Sequence, residues 1–188
     1  MKYRTIVADP PWPQKDSGPR TEPVRGGWAA PKWIGTRSVV PYPRMSLDEI
    51  TALPIRAMAD TNAHLYLWTT NRFLKNAYSI AEEWGFKAST VLTWCKAPMG
   101  LGMGGTFANT TEFCLFCRRG AQPAKQRIDS TWFAWPRGKH SQKPEAFIDL
   151  VEQVSPGPYV ELFSRRHRLG WDVWGNESAN TATLELPA

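Results

Sequence analysis

The chain has 188 residues, 42% hydrophobic and 21% charged, which fits one soluble globular domain with its own core and excludes global disorder. Lys and Arg outnumber Asp and Glu by 23 to 17, a formal charge of +6 that suits a polyanionic partner without requiring one. No apolar run approaches the roughly 20 residues needed to span a bilayer, the N-terminus is too short in its apolar part for a signal peptide, and three cysteines, Cys95, Cys114 and Cys117, are too sparse for a disulfide framework. A reducing cytoplasm is therefore the expected setting. Aromatic content is unusual, with 10 Trp, 8 Phe and 5 Tyr. Flat rings fill cores and also stack on bases.

Thr5 to Ala8 (TIVA) reads as a buried strand, stopped by Asp9 and then Pro10-Pro11. Residues 13–44 are rich in Pro, Gly, Lys and Arg and show no period, which predicts a long functional or mobile loop. Ser46-Leu47-Asp48-Glu49 forms a capping box, with Met45 and Ile50 spaced as a hydrophobic staple, and opens a short helix ending near Pro54. Ala63 to Trp68 is a second strand. Asn71 opens a helix whose apolar positions are Phe73, Leu74, Ala77, Tyr78, Ala81 and Trp84, closed by Gly85. Lys87 to Trp94 and Glu112 to Cys117 are further strands.

Between them the GLGMGG run (residues 100–105) follows a Pro-Met pair and precedes no helix, so it reads as a loop and not a nucleotide fingerprint. Residues 118–142 are irregular and basic. Pro144 suits the start of a helix over Glu145 to Val154, with Phe147, Leu150, Val151 and Val154 on its apolar face. Tyr159 to Phe163 and Gly170 to Trp174 complete the strands. Strands alternating with helices predict one α/β domain over residues 1–188, with a mostly parallel sheet and helices on both faces. In such sheets ligands sit at the C-terminal ends of strands, where Asp9 and the run Ser164-Arg165-Arg166-His167 are placed.

Asp9-Pro10-Pro11-Trp12 is the sharpest motif. An exocyclic amine on a base is a poor nucleophile, because its lone pair is delocalised into the ring. Two acceptors on its two N–H groups draw the nitrogen toward tetrahedral geometry and offset the charge that develops. Asp9 supplies a carboxylate. Pro10 supplies a rigidly held carbonyl, since proline fixes φ. Trp12 is placed to stack on a flipped base. The bland alternative is a strand ending in a turn, with Asp9 capping local amides. Four such residues at the end of an apolar strand favour the site.

The sequence resembles the adenine-N6 methyltransferases that carry this DPPW motif and use S-adenosylmethionine, the family of the catalytic subunit of the eukaryotic messenger-RNA adenosine methyltransferase and of bacterial and phage relatives. The matching segments are VADPPW (Val7 to Trp12), LYLWTTN (Leu65 to Asn71), TEFCLFCRRG (Thr111 to Gly120), HSQKPEAF (His140 to Phe147) and the stretch from Ser155 to Glu177. The resemblance implies a Rossmann-like methyltransferase fold in permuted order, with the catalytic motif before the cofactor strand. It implies that Asp9 binds the target amine near the methionine end of the cofactor, with Pro10 and Pro11 beside it and Trp12 lining the base pocket.

It also implies that Lys143 pairs with the cofactor carboxylate, that Phe163 packs on the cofactor adenine, and that Glu161, Ser164, Arg165, His167 and Asn176 reach the rest of it. Where the family often has a small polar residue after the histidine, this chain has Arg168. DNA is the expected polymer, in a prokaryotic or phage-infected host cytoplasm, with relaxed sequence preference or a bias to single strands. RNA and a catalytically silent nucleic-acid-binding partner subunit are the alternatives. A lone chain and a homodimer both stay open.

Cations and indoles interleaved in residues 13–44 suit a nucleic-acid strand, or a loop folded on the core or at a subunit interface, and the basic stretch from Arg118 to Lys143, directly before the cofactor lysine, suits phosphate or a solvated loop. Lys15, Trp28 and Trp33 in the first, and Arg118, Arg119, Arg137 and His140 in the second, are the candidate substrate contacts. Cys114 and Cys117 are three apart in a strand and so face opposite ways, which predicts buried side chains and no metal site. Trp68, Trp84, Trp94 and Trp174 are expected in the core.

Overall fold

A computed structural model describes residues 2–13, 44–97, 106–107, 109–136, 142–175 and 179–184. Its first strand is the apolar, buried β1 (Tyr3–Ala8). β1 lies between two parallel neighbours, β2 (Ala59–Thr69) with Ala8 opposite Leu67, and β6 (Tyr159–Leu162) with Ala8 opposite Leu162. The remaining strands are β3 (Lys87–Ala97), β4 (Thr111–Arg119), β5 (Trp132–Pro136) and β7 (Trp171–Trp174). The sheet order is β5-β3-β4-β2-β1-β6-β7, antiparallel only where β4 meets β2 and β3. The strand order reverses at β1, and a ligand crevice belongs at the C-terminal end of such a strand.

Alternation along the central strands builds two cores. Ile6, Ala8, Leu65 and Leu67 face one side, under helices α1 (Leu47–Thr51), α2 (Ile55–Met58) and α3 (Leu74–Glu83). Val7, Tyr66 and Trp68 face the other, under α4 (Glu145–Val154) through Phe147, Ile148 and Val151. The helices therefore cover both faces of a mostly parallel sheet, as expected. Cys117 joins the first core and Cys114 the second, and burial pushes both thiols up. Trp68, Trp84 and Trp94 are buried, while Trp174 is half-buried.

The local helix signals are realised. Ser46 Oγ accepts from the Glu49 amide at 3.1 Å, and the Glu49 carboxylate accepts from the Ser46 amide at 2.6 Å. Gly85, at φ +83, closes α3 in a Schellman turn, its amide on Glu82 O and the Phe86 amide on Ala81 O. Three expectations are corrected. Tyr78 is 39% exposed, and Ile80 fills the inward position instead. A separate α2 follows Pro54, and β2 begins at Ala59, four residues early. The stretch 118–142 is not irregular throughout, since Arg118 and Arg119 end β4 and Trp132–Pro136 form the edge strand β5. β5 reads poorly because its partner is distant β3, and its outward face (Trp132, Ala134, Pro136) is as apolar as its inward one. The predicted loop 13–44 lies almost wholly outside the described residues. Among the described residues no helix is long and apolar enough to cross a membrane.

Candidate active site

β1 delivers Asp9 to the crevice between β2 and β6. The chain then turns tightly, with the Trp12 amide donating to Pro10 O at 2.8 Å and the Met45 amide to Pro11 O at 3.1 Å. Pro10 is buried and holds its carbonyl rigidly, with one lone pair already used by Trp12.

Four charged side chains form a row here. Lys143 Nζ donates to Asp9 Oδ2 at 2.7 Å and lies 3.3 Å from Glu112 Oε2. Lys96 pairs with the other Glu112 oxygen. The ammonium groups also rest on indoles, Lys143 at 5.0 Å from the Trp68 ring centre and Lys96 at 5.3 Å from that of Trp94. The positions follow from topology. β4 runs against β2, so its first residues reach the crevice end, with Phe113 opposite Thr69 and Glu112 opposite Trp94. Lys143 stands just before Pro144, which precedes α4.

Burial pushes the Asp9 carboxyl above its ordinary range, and Lys143 offsets part of that push. Burial also works against charge on Glu112, but Lys143 and Lys96 outweigh it and hold Glu112 low. For Lys143, burial is outweighed by Asp9 and Glu112, and its ammonium is held well above the usual lysine range. Lys143, held charged, therefore stands between two carboxylates, of which Glu112 is held low and Asp9 is raised.

The next strand end supplies the other wall. Burial raises the carboxyl of Glu161, on β6, and Ser164 Oγ donates to it at 3.1 Å. Glu161 and Arg165 both lie within electrostatic reach of Asp9. Phe163 leaves β6 at φ +62 and packs edge-on against Trp174, ring centres 5.4 Å apart. Ser164 is buried, and its amide donates to Trp174 O at 3.1 Å. A Cβ at Gly175 would sit 2.2 Å from Ser164 O, so only glycine lets β6 and β7 close at this point.

Asp9, Pro10, Pro11, Lys143, Glu161, Phe163, Ser164 and Arg165 thus gather at one end of the sheet. His167 is exposed on the loop beyond them. Trp12 departs from its expected place. It is 6% exposed, its ring stacks on Phe73 at 5.4 Å, and its indole N–H donates to Trp68 O at 3.0 Å, so it is a core wedge under the motif. Arg118 and Arg119 are not brought to the site. Six residues beyond Glu112 on extended β4, Arg118 is about 20 Å away at the opposite sheet end. There Arg118 donates to Gln122 O and Arg119 to Arg56 O. The antiparallel run of β4 is the reason. Lys15, Trp28, Trp33, Arg137, His140 and Asn176 lie outside the described residues.

Lys143 was expected to meet a cofactor carboxylate, and in this structure its partners are Asp9 and Glu112. Glu112 and Lys96 went unnoticed in the sequence. The available signal was an acid opening the otherwise apolar run EFCLFC. The Trp68 indole N–H is buried without a partner among the described residues. Such a donor, two carboxylates, a buried ammonium and the aromatic Phe163 fit the carboxylate, ammonium, diol and adenine of S-adenosylmethionine.

The sequence profile of the MT-A70 family matches residues 3–177. The chain is similar to the type II methyltransferase M.MunI of Mycoplasma sp, 32% identical over 197 residues, covering 99% of this chain and 82% of that protein. It is 28% identical over 193 residues to a putative N(6)-adenosine-methyltransferase MT-A70-like protein of Medicago truncatula, covering 98% of this chain. It is 25% identical over 186 residues to the human N(6)-adenosine-methyltransferase catalytic subunit METTL3, covering 94% of this chain. The chain spans only 28% of the length of each of those two relatives. With DPPW at the end of β1, Lys143 beside it and a profile match over nearly its whole length, the chain belongs to the MT-A70 family.

Proposed function

We propose that this chain transfers a methyl group from S-adenosylmethionine to the N6 amine of adenine, and that the polymer is DNA. The adenine-N6 chemistry rests on family membership and on relatives named as N(6)-adenosine-methyltransferases. The preference for DNA rests on the type II methyltransferase, a relative matched over 82% of its own length. The observation that carries the site is the Asp9–Lys143 pair at the end of β1.

Asp9 Oδ1 and the second lone pair of Pro10 O accept the two N–H groups of the target amine. This holds the nitrogen lone pair out of the ring plane and offsets the charge it develops. S-adenosylmethionine, when bound, supplies a methyl group on a positively charged sulfur. Lys143 would hold its carboxylate, with Glu112 keeping the ammonium in place. Glu161, Phe163, Ser164 and Arg165 hold the nucleoside end, with His167 and Asn176 assigned to the same end. The base leaves its stack to reach Asp9. Lys15, Trp28, Trp33, Arg137 and His140 are assigned to the strand that carries it.

A second reading, adenosine in RNA, is favoured by the names of the plant and animal relatives. A silent partner subunit is disfavoured by an intact Asp9 and Lys143. Methyl transfer from labelled S-adenosylmethionine to single-stranded DNA, duplex DNA and RNA, beside Asp9→Ala, separates all three. Labelled N6-methyladenine in DNA, lost with Asp9→Ala, is the expected result. Labelling of RNA alone moves the second reading to first place, and absence of both labelling and cofactor binding favours the silent subunit.

A further inference from the structure

The loop between β6 and β7 is tied to α4 by two arginines. Arg166 pairs with Glu145. Arg168 spreads its fork over three acids. Nε lies 3.0 Å from Glu152 Oε1, Nη2 lies 2.7 Å from Asp149 Oδ1 and 3.3 Å from Glu152 Oε2, and Nη1 lies 3.6 Å from Glu145 Oε2. Glu145, Asp149 and Glu152 stand at i, i+4 and i+7, one stripe of the helix. The Trp171 indole N–H shares Glu152 Oε1 at 2.7 Å. The Arg168 side chain is 28% exposed. A planar fork on several carboxylates is a more specific restraint than an isolated surface pair.

This tie acts on a segment that needs holding. Phe163 is a non-glycine residue at φ +62, a conformation that persists only where the surroundings dictate it. Ser164 fixes the near end of the loop, its Oγ donating to Glu161 Oε2 at 3.1 Å or to Arg166 O at 2.7 Å and accepting from the Arg166 amide at 3.4 Å. The arginines fix the far end. The helix they grip is the one that follows Lys143 and Pro144. One element thus references both walls of the crevice.

We propose that Arg168 is a positioning residue for cofactor binding, pre-ordering the loop from Phe163 to His167 against the acidic stripe of α4. The inference rests on the reading of that loop as the S-adenosylmethionine wall. Without the tie, ligand binding itself must order the loop, and affinity falls by that cost. Chemistry at Asp9 is untouched once the cofactor is bound.

Calorimetric titration of S-adenosylhomocysteine tests this on the wild-type chain, Arg168→Ala, Arg168→Lys and Glu152→Gln. Arg168→Ala is expected to bind about tenfold more weakly. Lysine restores part of the loss, since it keeps the charge but not the fork. Glu152→Gln combined with Arg168→Ala adds little to the single change. KM for S-adenosylmethionine rises with Arg168→Ala, while kcat at saturation stays within about twofold of wild type. The proposal is overturned if Arg168→Ala binds like wild type while melting lower, which is a purely structural role, or if kcat falls with affinity unchanged. If wild type itself gives no binding heat with S-adenosylhomocysteine, the cofactor reading falls and this inference with it.

Discussion

Lys143 Nζ and Asp9 Oδ2 meet at 2.7 Å although 134 residues separate them in sequence. The pair joins the end of β1 to the start of α4, so the DPPW carboxylate carries its counter-ion before any ligand arrives. Asp9→Asn keeps the shape and removes the charge. We expect kcat to fall by at least about a hundredfold, as for loss of one preorganised acceptor. Single-turnover methyl transfer checks this, and a loss below tenfold removes Asp9 from the reaction.

Lys143→Met leaves Asp9 and Glu112 without their shared ammonium. A stranded buried charge is costly, and we expect about 3 kcal/mol of lost stability. Denaturant unfolding measures it. Glu112→Gln added to Lys143→Met should recover part of that loss, and no recovery would show that Glu112 is not coupled to the pair.

The pH dependence follows from burial of Asp9. A carboxyl whose pKa is raised takes up its proton at a higher pH than the ordinary value near 4. Because the charged form is the acceptor, kcat/KM should decline on the acid side at a pH above that ordinary value. Lys143 is held high and stays charged, so it adds no alkaline limb near neutrality. Glu112 is held low, and the stability it contributes is present above its unfolded pKa and lost only as pH falls through the depressed folded value. An acid limb at or below the ordinary carboxylate value contradicts the assignment to Asp9.

Trp12 separates packing from recognition. Stacked on Phe73 and bonded to Trp68 O, it should act mainly through stability. Trp12→Ala is expected to cost about 3–5 kcal/mol. Trp12→Phe loses the indole hydrogen bond, about 1 kcal/mol, and should retain most methyl transfer. A folded Trp12→Phe protein with transfer reduced a hundredfold would return Trp12 to the base pocket.

Gly175→Ala tests the closure of β6 on β7. The added Cβ meets backbone atoms of Ser164, which cannot swing aside. We expect about 1–3 kcal/mol of destabilisation together with weaker S-adenosylhomocysteine binding. Wild-type thermal stability in this variant would show that the strands part without cost.

Much of the fold was legible because its signals are local. The TIVA run, the capping box at Ser46, the Gly85 stop and the 3.6-residue period of Glu145–Val154 each need only neighbouring residues to act. The DPPW motif was legible for the same reason, since its donors and acceptors are consecutive. β5 and α2 were missed because their patterns are short, and α2 lacks a side-chain cap.

Chemistry that lies within a few residues, together with amphipathic period, was thus written in the sequence. Strand direction, register and burial were decided by the tertiary structure. β4 reads as one apolar run in either direction, and only its antiparallel pairing sends Glu112 to the crevice and Arg118 to the far end. Trp12 is equally suited to a base or a core, and Phe73 claims it. The three acids that grip the Arg168 side chain lie on a helix 16 to 23 positions earlier in the chain. Pairing across such separations depends on which surfaces the whole fold brings together, and no local pattern encodes that.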